Sequence, residues 1–224
     1  MIEVRDVTHS YGDRMVLRSV SVTLSERRVA VIGANGSGKS TFARLLNGLV
    51  VPQHGEVSVH GLSTRSAGGA VRRIVGFVFT DPDAQIVMPT VAEDVALGLR
   101  RRKLDAVETH RRVFAALSEL GLEIFADHPA HLLSGGQKQL LALCSVLVTE
   151  PRVLVCDEPT TLLDRRNARR VLEILDALPH QVILVTHDLE SVAGYDRVLV
   201  FDEGRLVADG IPQMAVDCYR ALIG

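Results

Sequence analysis

Eight residues, Gly33-Ala34-Asn35-Gly36-Ser37-Gly38-Lys39-Ser40, constrain this chain more than any other stretch. They follow the short apolar run Val29–Ile32, read as a buried strand, and precede a stretch read as a helix from about Lys39 to Gly48. A strand, a glycine-rich turn ending in Lys-Ser and a helix form a phosphate-binding loop with its required flanks. Glycines let backbone N–H groups curl around phosphate oxygens with no Cβ in the way, and the helix N-terminus adds a favourable dipole. In this pattern Lys39 reaches the β- and γ-phosphates of ATP, and the Ser40 hydroxyl ligates Mg²⁺. Thr41 continues the set at the start of the helix.

The remaining elements say what kind of sheet carries that loop. Further strands are read at Val57–Val59, Ile74–Phe79, Val153–Asp157, Val182–Thr186 and Val198–Asp202. Helices are read at about Asn167–Leu178, after Asp188, and from Pro212 to Ile223. Strands alternating with helices imply a parallel α/β sheet with right-handed crossovers. Only 4% of the residues are aromatic and none is Trp, so Val, Leu, Ile and Ala must build the core. Such runs suit strands buried on both faces. Residues 2–8 and 16–24 instead alternate apolar and polar residues around a Tyr11-Gly12-Asp13 turn, which reads as an antiparallel pair. Between about Asp83 and Thr149 the pattern becomes helical, at Asp105–Gly121 and Gly135–Val148.

Two further motifs bear chemistry. Val153-Leu154-Val155-Cys156-Asp157-Glu158 is an apolar strand ending in two acids. It places carboxylates at the C-terminal edge of the sheet, where α/β proteins bind ligands. Asp157 can hold Mg²⁺, and Glu158 can orient or deprotonate an attacking water. In Leu133-Ser134-Gly135-Gly136-Gln137, Ser134 is a good helix cap, but two glycines directly after it weaken a helix start. They make sense if something approaches the backbone closely, which is a second phosphate cradle in one chain. One nucleotide does not need two cradles from one subunit, so this one suits the ATP of a neighbouring subunit.

Together these motifs resemble the nucleotide-binding subunits of ABC transporters over essentially the whole chain. Gly33–Ser40 is then the Walker A motif, Leu133–Gln137 the signature, and Val153–Glu158 the Walker B strand with its glutamate. Asp164 stands in the D-loop, His187 stands as the switch histidine, and Tyr11 stands where adenine stacks. The resemblance implies a P-loop NTPase fold: a RecA-like parallel core with an antiparallel β subdomain, about 1–82 and 150–224, and a helical subdomain, about 83–149. It also implies ATP and Mg²⁺ as cofactors and a second copy paired head to tail. Each ATP would then lie between one subunit's Walker A and the other's signature.

The segments Phe79–Gln85 and Thr90–Ala96 resemble the ATPases of energy-coupling-factor (ECF) importers for vitamins and metals. There Asp83 and Gln85 would dock a transmembrane coupling protein, and a separate membrane protein would bind the cargo. The run Pro159–Asp164 looks most like the biotin importer's ATPase. One position departs from the family. Thr80 stands where a Mg²⁺-sensing glutamine is expected, so its hydroxyl would replace an amide.

Composition narrows the alternatives. A net charge of −2 provides no basic excess for nucleic acid. The long insertions of soluble ABC ATPases of DNA repair or translation are absent, and a small-molecule kinase would leave the signature without a task. Cys144, Cys156 and Cys218 form no metal-spaced cluster, and Cys156 reads as a buried reduced thiol in a reducing compartment. The chain opens on strand-like residues, so no signal peptide is expected, nor is any stretch long enough to span a membrane. A peripheral place on the cytoplasmic face, held by partners, follows. The basic run Arg100–Lys103 reads as a solvated face.

Overall fold

The computed structural model describes residues 1–224. It divides into two compact units, the first comprising Met1–Val75, Arg152–Glu158 and Pro179–Gly224, the second Gly76–Pro151 and Pro159–Leu178. The sequence reading places residues 159–178 with the core; they fall in the second, helical unit.

The chain begins with β1 (Ile2–Tyr11) and β2 (Arg14–Leu24), an antiparallel pair joined by a two-residue turn. β3 (Arg28–Gly33) follows and is buried throughout, then α1 (Lys39–Leu46), β4 (His54–Val59), β5 (Leu62–Ser63), α2 (Gly68–Ile74) and β6 (Val75–Val78). The helical stretch contains α3 (Val91–Leu99), α4 (Ala106–Leu120) and α5 (Gly135–Leu147). β7 (Val153–Asp157), α6 (Arg165–Ala177), β8 (Gln181–Val185), β9 (Arg197–Asp202), β10 (Arg205–Gly210) and α7 (Pro212–Ile223) complete the chain.

Within the first unit, β2-β1-β4-β5 form an antiparallel sheet. β3 lies between β9 and β8 and is parallel to both, while β7 continues the parallel set beside β8. The apolar runs are buried on both faces: Val29, Ala30, Val31 and Ile32 of β3 are 0% exposed. Parallel strands start together and end together. The residues that follow β3, β7 and β8 therefore emerge at one sheet edge. In the second unit α3, α4 and α5 pack through Val91, Val95, Leu99, Val113, Leu117, Leu120, Leu140 and Leu141. No helix is long and apolar enough to cross a membrane.

Two sequence expectations are corrected. No helix forms after Asp188. The Asp188 carboxylate accepts from Glu190 N at 3.0 Å, and Ser191 Oγ donates to the Asp188 carbonyl at 2.7 Å, so side chains take the bonds a helix needs. The strand read at Ile74–Phe79 is shorter, Val75–Val78, because α2 occupies Ile74.

Candidate functional site

The loop after β3 is built from its glycines. Gly38 precedes α1 with φ of 104°, and no side chain caps the helix's first N–H groups. A Cβ at Gly38 would lie 2.6 Å from the Val16 carbonyl oxygen, and one at Gly33 would lie 2.1 Å from that of Phe201. Only glycine fits either place. Lys39 is buried, and its Nζ donates to the Gly33 and Ala34 carbonyls at 2.8 and 2.9 Å. Burial lowers its pKa, against the opposing pull of the Glu158 and Asp157 charges.

The acids arrive from β7. Asp157 Oδ1 accepts from Ser40 Oγ at 2.8 Å, and Arg44 Nη2 stands 3.9 Å from Asp157 Oδ2. Burial raises the Asp157 pKa, and the Ser40 hydrogen bond and Arg44 offset only part of that effect. A small hydroxyl and a carboxylate side by side are hard oxygen donors, the set that suits Mg²⁺. Glu158 takes a left-handed backbone, φ 50°, while its N–H donates to the Val185 carbonyl at 2.9 Å. A non-glycine residue held there costs about 1–3 kcal/mol. His187 follows β8, and its Nδ1 lies 3.2 Å from Glu158 Oε2. The Glu158 side chain is 16% exposed and that of His187 56%, so the acid is shielded and the imidazole accessible.

Tyr11, Arg14, Asn35, Gly36, Gly38, Lys39, Ser40, Thr41 and Glu158 line one cavity of about 480 Å³ with Val16. Tyr11 is half exposed, and its ring meets the His9 ring edge-on at 4.8 Å. A face open to the cavity and braced behind suits base stacking. Arg14 and Arg44 escape the sequence reading. The first is adjacent only to the Tyr11 turn, and the second is one helical turn beyond Ser40.

The second unit holds the other predicted residues. Ser134 caps α5 by accepting from Gln137 N, and Gln137 Oε1 accepts from Ser134 N at 2.8 Å. Gly135 faces open space, whereas a Cβ on Gly136 would lie 2.4 Å from Asn167 Cγ. So one of the two glycines admits α6, and the other remains accessible. Asp164 caps α6, accepting from Asn167 N at 2.9 Å and Asn167 Nδ2 at 2.8 Å, and these bonds lower its pKa. Asp83 pairs with Lys138 at 2.7 Å. Both ends of the Gln85 amide point inward. Its Oε1 accepts from Phe79 N and its Nε2 donates to the Ala142 carbonyl, each at 3.1 Å. Gln85 therefore holds its segment on α5 rather than offering its amide to a partner. Thr80 also belongs to this unit.

The family model described as ABC transporter matches residues 17–161. The chain belongs to the ABC transporter family. It is an ATP-binding, ATP-hydrolysing subunit of the kind whose motifs were read above. A Deinococcus radiodurans protein, provisionally named an ABC transporter ATP-binding protein, is 54% identical over 220 residues, spanning 98% of this chain and 97% of that one. The biotin transport ATP-binding protein BioM of Rhizobium etli is 47% identical over 213 residues, 95% of each chain. The energy-coupling factor transporter ATP-binding protein EcfA of Syntrophomonas wolfei is 40% identical over 222 residues, 95% of this chain and 81% of that one. Among solved structures, cbiO1 of Clostridium perfringens, part of the ABC transporter complex cbiONQ, superimposes with a TM-score of 0.85. It is 34% identical, over 99% of this chain and 92% of that one.

Proposed function

We propose that this ABC ATPase energises an ECF-type importer. One observation carries the ATPase part of the reading: Lys39, Ser40, Asp157, Glu158 and His187 gather at the ends of β3, β7 and β8, beside a cavity with an aromatic wall. ATP stacks its base on Tyr11 and lays its phosphates along the loop from Gly33 through Ala34, Asn35, Gly36, Ser37 and Gly38. The uncapped start of α1 donates N–H groups from Lys39, Ser40 and Thr41. Lys39 exchanges two backbone carbonyls for phosphate oxygens, so its charge changes partner without an uncompensated state. Ser40 and Asp157 would hold Mg²⁺, which would supply neutralisation of phosphate charge. Glu158 orients water and accepts its proton, while His187, steadied by Glu158, donates to the γ-phosphate.

A second copy, head to tail, completes the site with its own Ser134, Gly135, Gly136 and Gln137, and Asp164 lies near the same joint. The membrane partner docks at the segment carrying Asp83, on the cytoplasmic face, and a separate membrane protein selects the cargo. The names of the Rhizobium and Syntrophomonas relatives support an ECF importer, and the former favours biotin as cargo. The test is co-expression with the membrane proteins that co-purify with the chain, followed by labelled biotin uptake and ATPase assay. Uptake and hydrolysis should both vanish in Lys39→Ala. Uptake of another vitamin or a metal ion would change the cargo alone, and an active ATPase that retains no co-expressed membrane protein and supports uptake of no cargo would overturn the importer reading.

A further inference from the structure

The nucleotide cavity contains a second cation, supplied by a different element from the phosphate-binding loop. Arg14 opens β2 and stands directly across the hairpin from Tyr11. With only Gly12 and Asp13 between them, the ring and the guanidinium leave the same end of the hairpin, and both line the cavity. Arg14 Nη2 lies 3.2 Å from where a Cβ on Gly36 would stand, so the guanidinium rests against the outer turn of the loop. Glycine at 36 makes room for it.

Three other arginines near this sheet are held. Arg197 is locked between Asp209 and Glu26, Arg18 donates to the Glu203 carbonyl, and Arg44 faces Asp157. The Arg14 side chain is exposed and makes no ion pair or hydrogen bond. Unpaired arginines are ordinary on a solvated surface. This one is set apart by lying against a phosphate cradle whose own lysine is bonded to two carbonyls.

We propose that Arg14 binds the polyphosphate of the nucleotide from the hairpin side of the loop, a second cation opposite Lys39. The inference rests on the nucleotide site proposed above. A planar guanidinium offers two parallel N–H bonds to phosphate oxygens. Arg14 surrenders no existing bond in doing so, whereas Lys39 must. Arg14 therefore acts on capture and affinity, while Glu158 and His187 act on the chemistry.

The experiment is equilibrium binding of fluorescent ATP to the full chain with MgCl₂ across a sodium chloride series, with adenosine in competition. Arg14→Ala should weaken ATP binding about tenfold. Its log–log salt dependence should be shallower, and its adenosine affinity should match that of the unaltered chain. Arg14→Lys should recover part of the affinity, because the charge returns without the fork. In steady-state assays the loss should fall on KM rather than kcat. Unchanged ATP affinity in Arg14→Ala overturns the proposal. So does an equal loss of adenosine, or a weakened affinity with an unaltered salt slope. If Lys39→Ala also binds ATP normally, the site itself is misread. If Lys39→Ala fails to bind and Arg14→Ala binds normally, only the role of Arg14 falls.

Discussion

Two helix starts in this molecule carry glycine-rich cradle sequences, and they are finished in opposite ways. α1 begins after Gly38 with no side chain on its first N–H groups. α5 begins after Ser134, which exchanges bonds with Gln137 in a reciprocal cap. An uncapped start leaves donors in search of a partner, and a reciprocal cap spends two of them internally. The α1 cradle is thus ready for phosphate within its own unit. The α5 cradle is stabilised without one, and keeps only the N–H groups of Gly135 and Gly136 outside its reciprocal cap. Such a cap is worth about 1 kcal/mol, so the α5 start is stable with no ligand bound. The second cradle would therefore engage only when a charged ligand is brought to it, which suits a site completed by another copy.

The sharpest way to break this division is Glu158→Gln. If Glu158 is the base, turnover should fall about 10²–10⁴-fold while ATP still binds. With hydrolysis blocked, ATP should hold both cradles together and dimers should accumulate in light scattering. A monomer at saturating ATP and Mg²⁺ would leave the α5 cradle without its ligand and sink the two-copy site.

The next largest effect separates the two glycines of α5. Gly136→Ala forces a Cβ into the Asn167 side chain, which Asp164 holds in place, so it should cost about 1–3 kcal/mol in chemical denaturation. Gly135→Ala meets no neighbour and should be neutral or gain a few tenths up to about 1 kcal/mol. If the proposed two-copy site forms, the penalty of Gly135→Ala should appear only in ATPase activity. Equal stability losses at both positions would erase the distinction between an internal and an external glycine.

The first unit was far more legible in the sequence than the second. Short apolar runs read as strands because both faces of β3, β7 and β8 are buried, and their last residues carry the chemistry in order along the chain. Ser134 announced α5 through its capping pattern. What stayed hidden depends on approach through space. Arg14 reaches Gly36 across a hairpin, and Asn167 reaches Gly136 from another helix, so neither pairing has a sequence spacing. Gln85 reads as a docking residue, yet its amide is bonded at both ends within its unit. α2 begins on Gly68 and Gly69, which mask its helical pattern. After Asp188 the reverse holds: a segment read as helix gives its bonds to Asp188 and Ser191.

The smallest effect, and the one that tests how the α1 site differs in charge, concerns Asp157. Its pKa is raised chiefly by burial, so the folded chain binds this proton more readily than the unfolded chain does. A raised carboxylate favours the fold below its ordinary pKa, and that advantage is lost as pH rises through the raised value. At neutral pH the buried charge is therefore a residual cost, moderated by Ser40 and Arg44. Asp157→Asn should raise Tm at pH 7 in the absence of nucleotide, and the gain should shrink as pH falls towards the ordinary carboxylate value of about 4. The same variant should lose the further stabilisation that ATP with Mg²⁺ gives the unaltered chain. An Asn variant less stable than its parent at pH 7 would mean that Ser40 and Arg44 more than compensate the carboxylate. The α1 site would then carry no electrostatic strain for its ligand to relieve, and in that respect would be as self-sufficient as the capped start of α5.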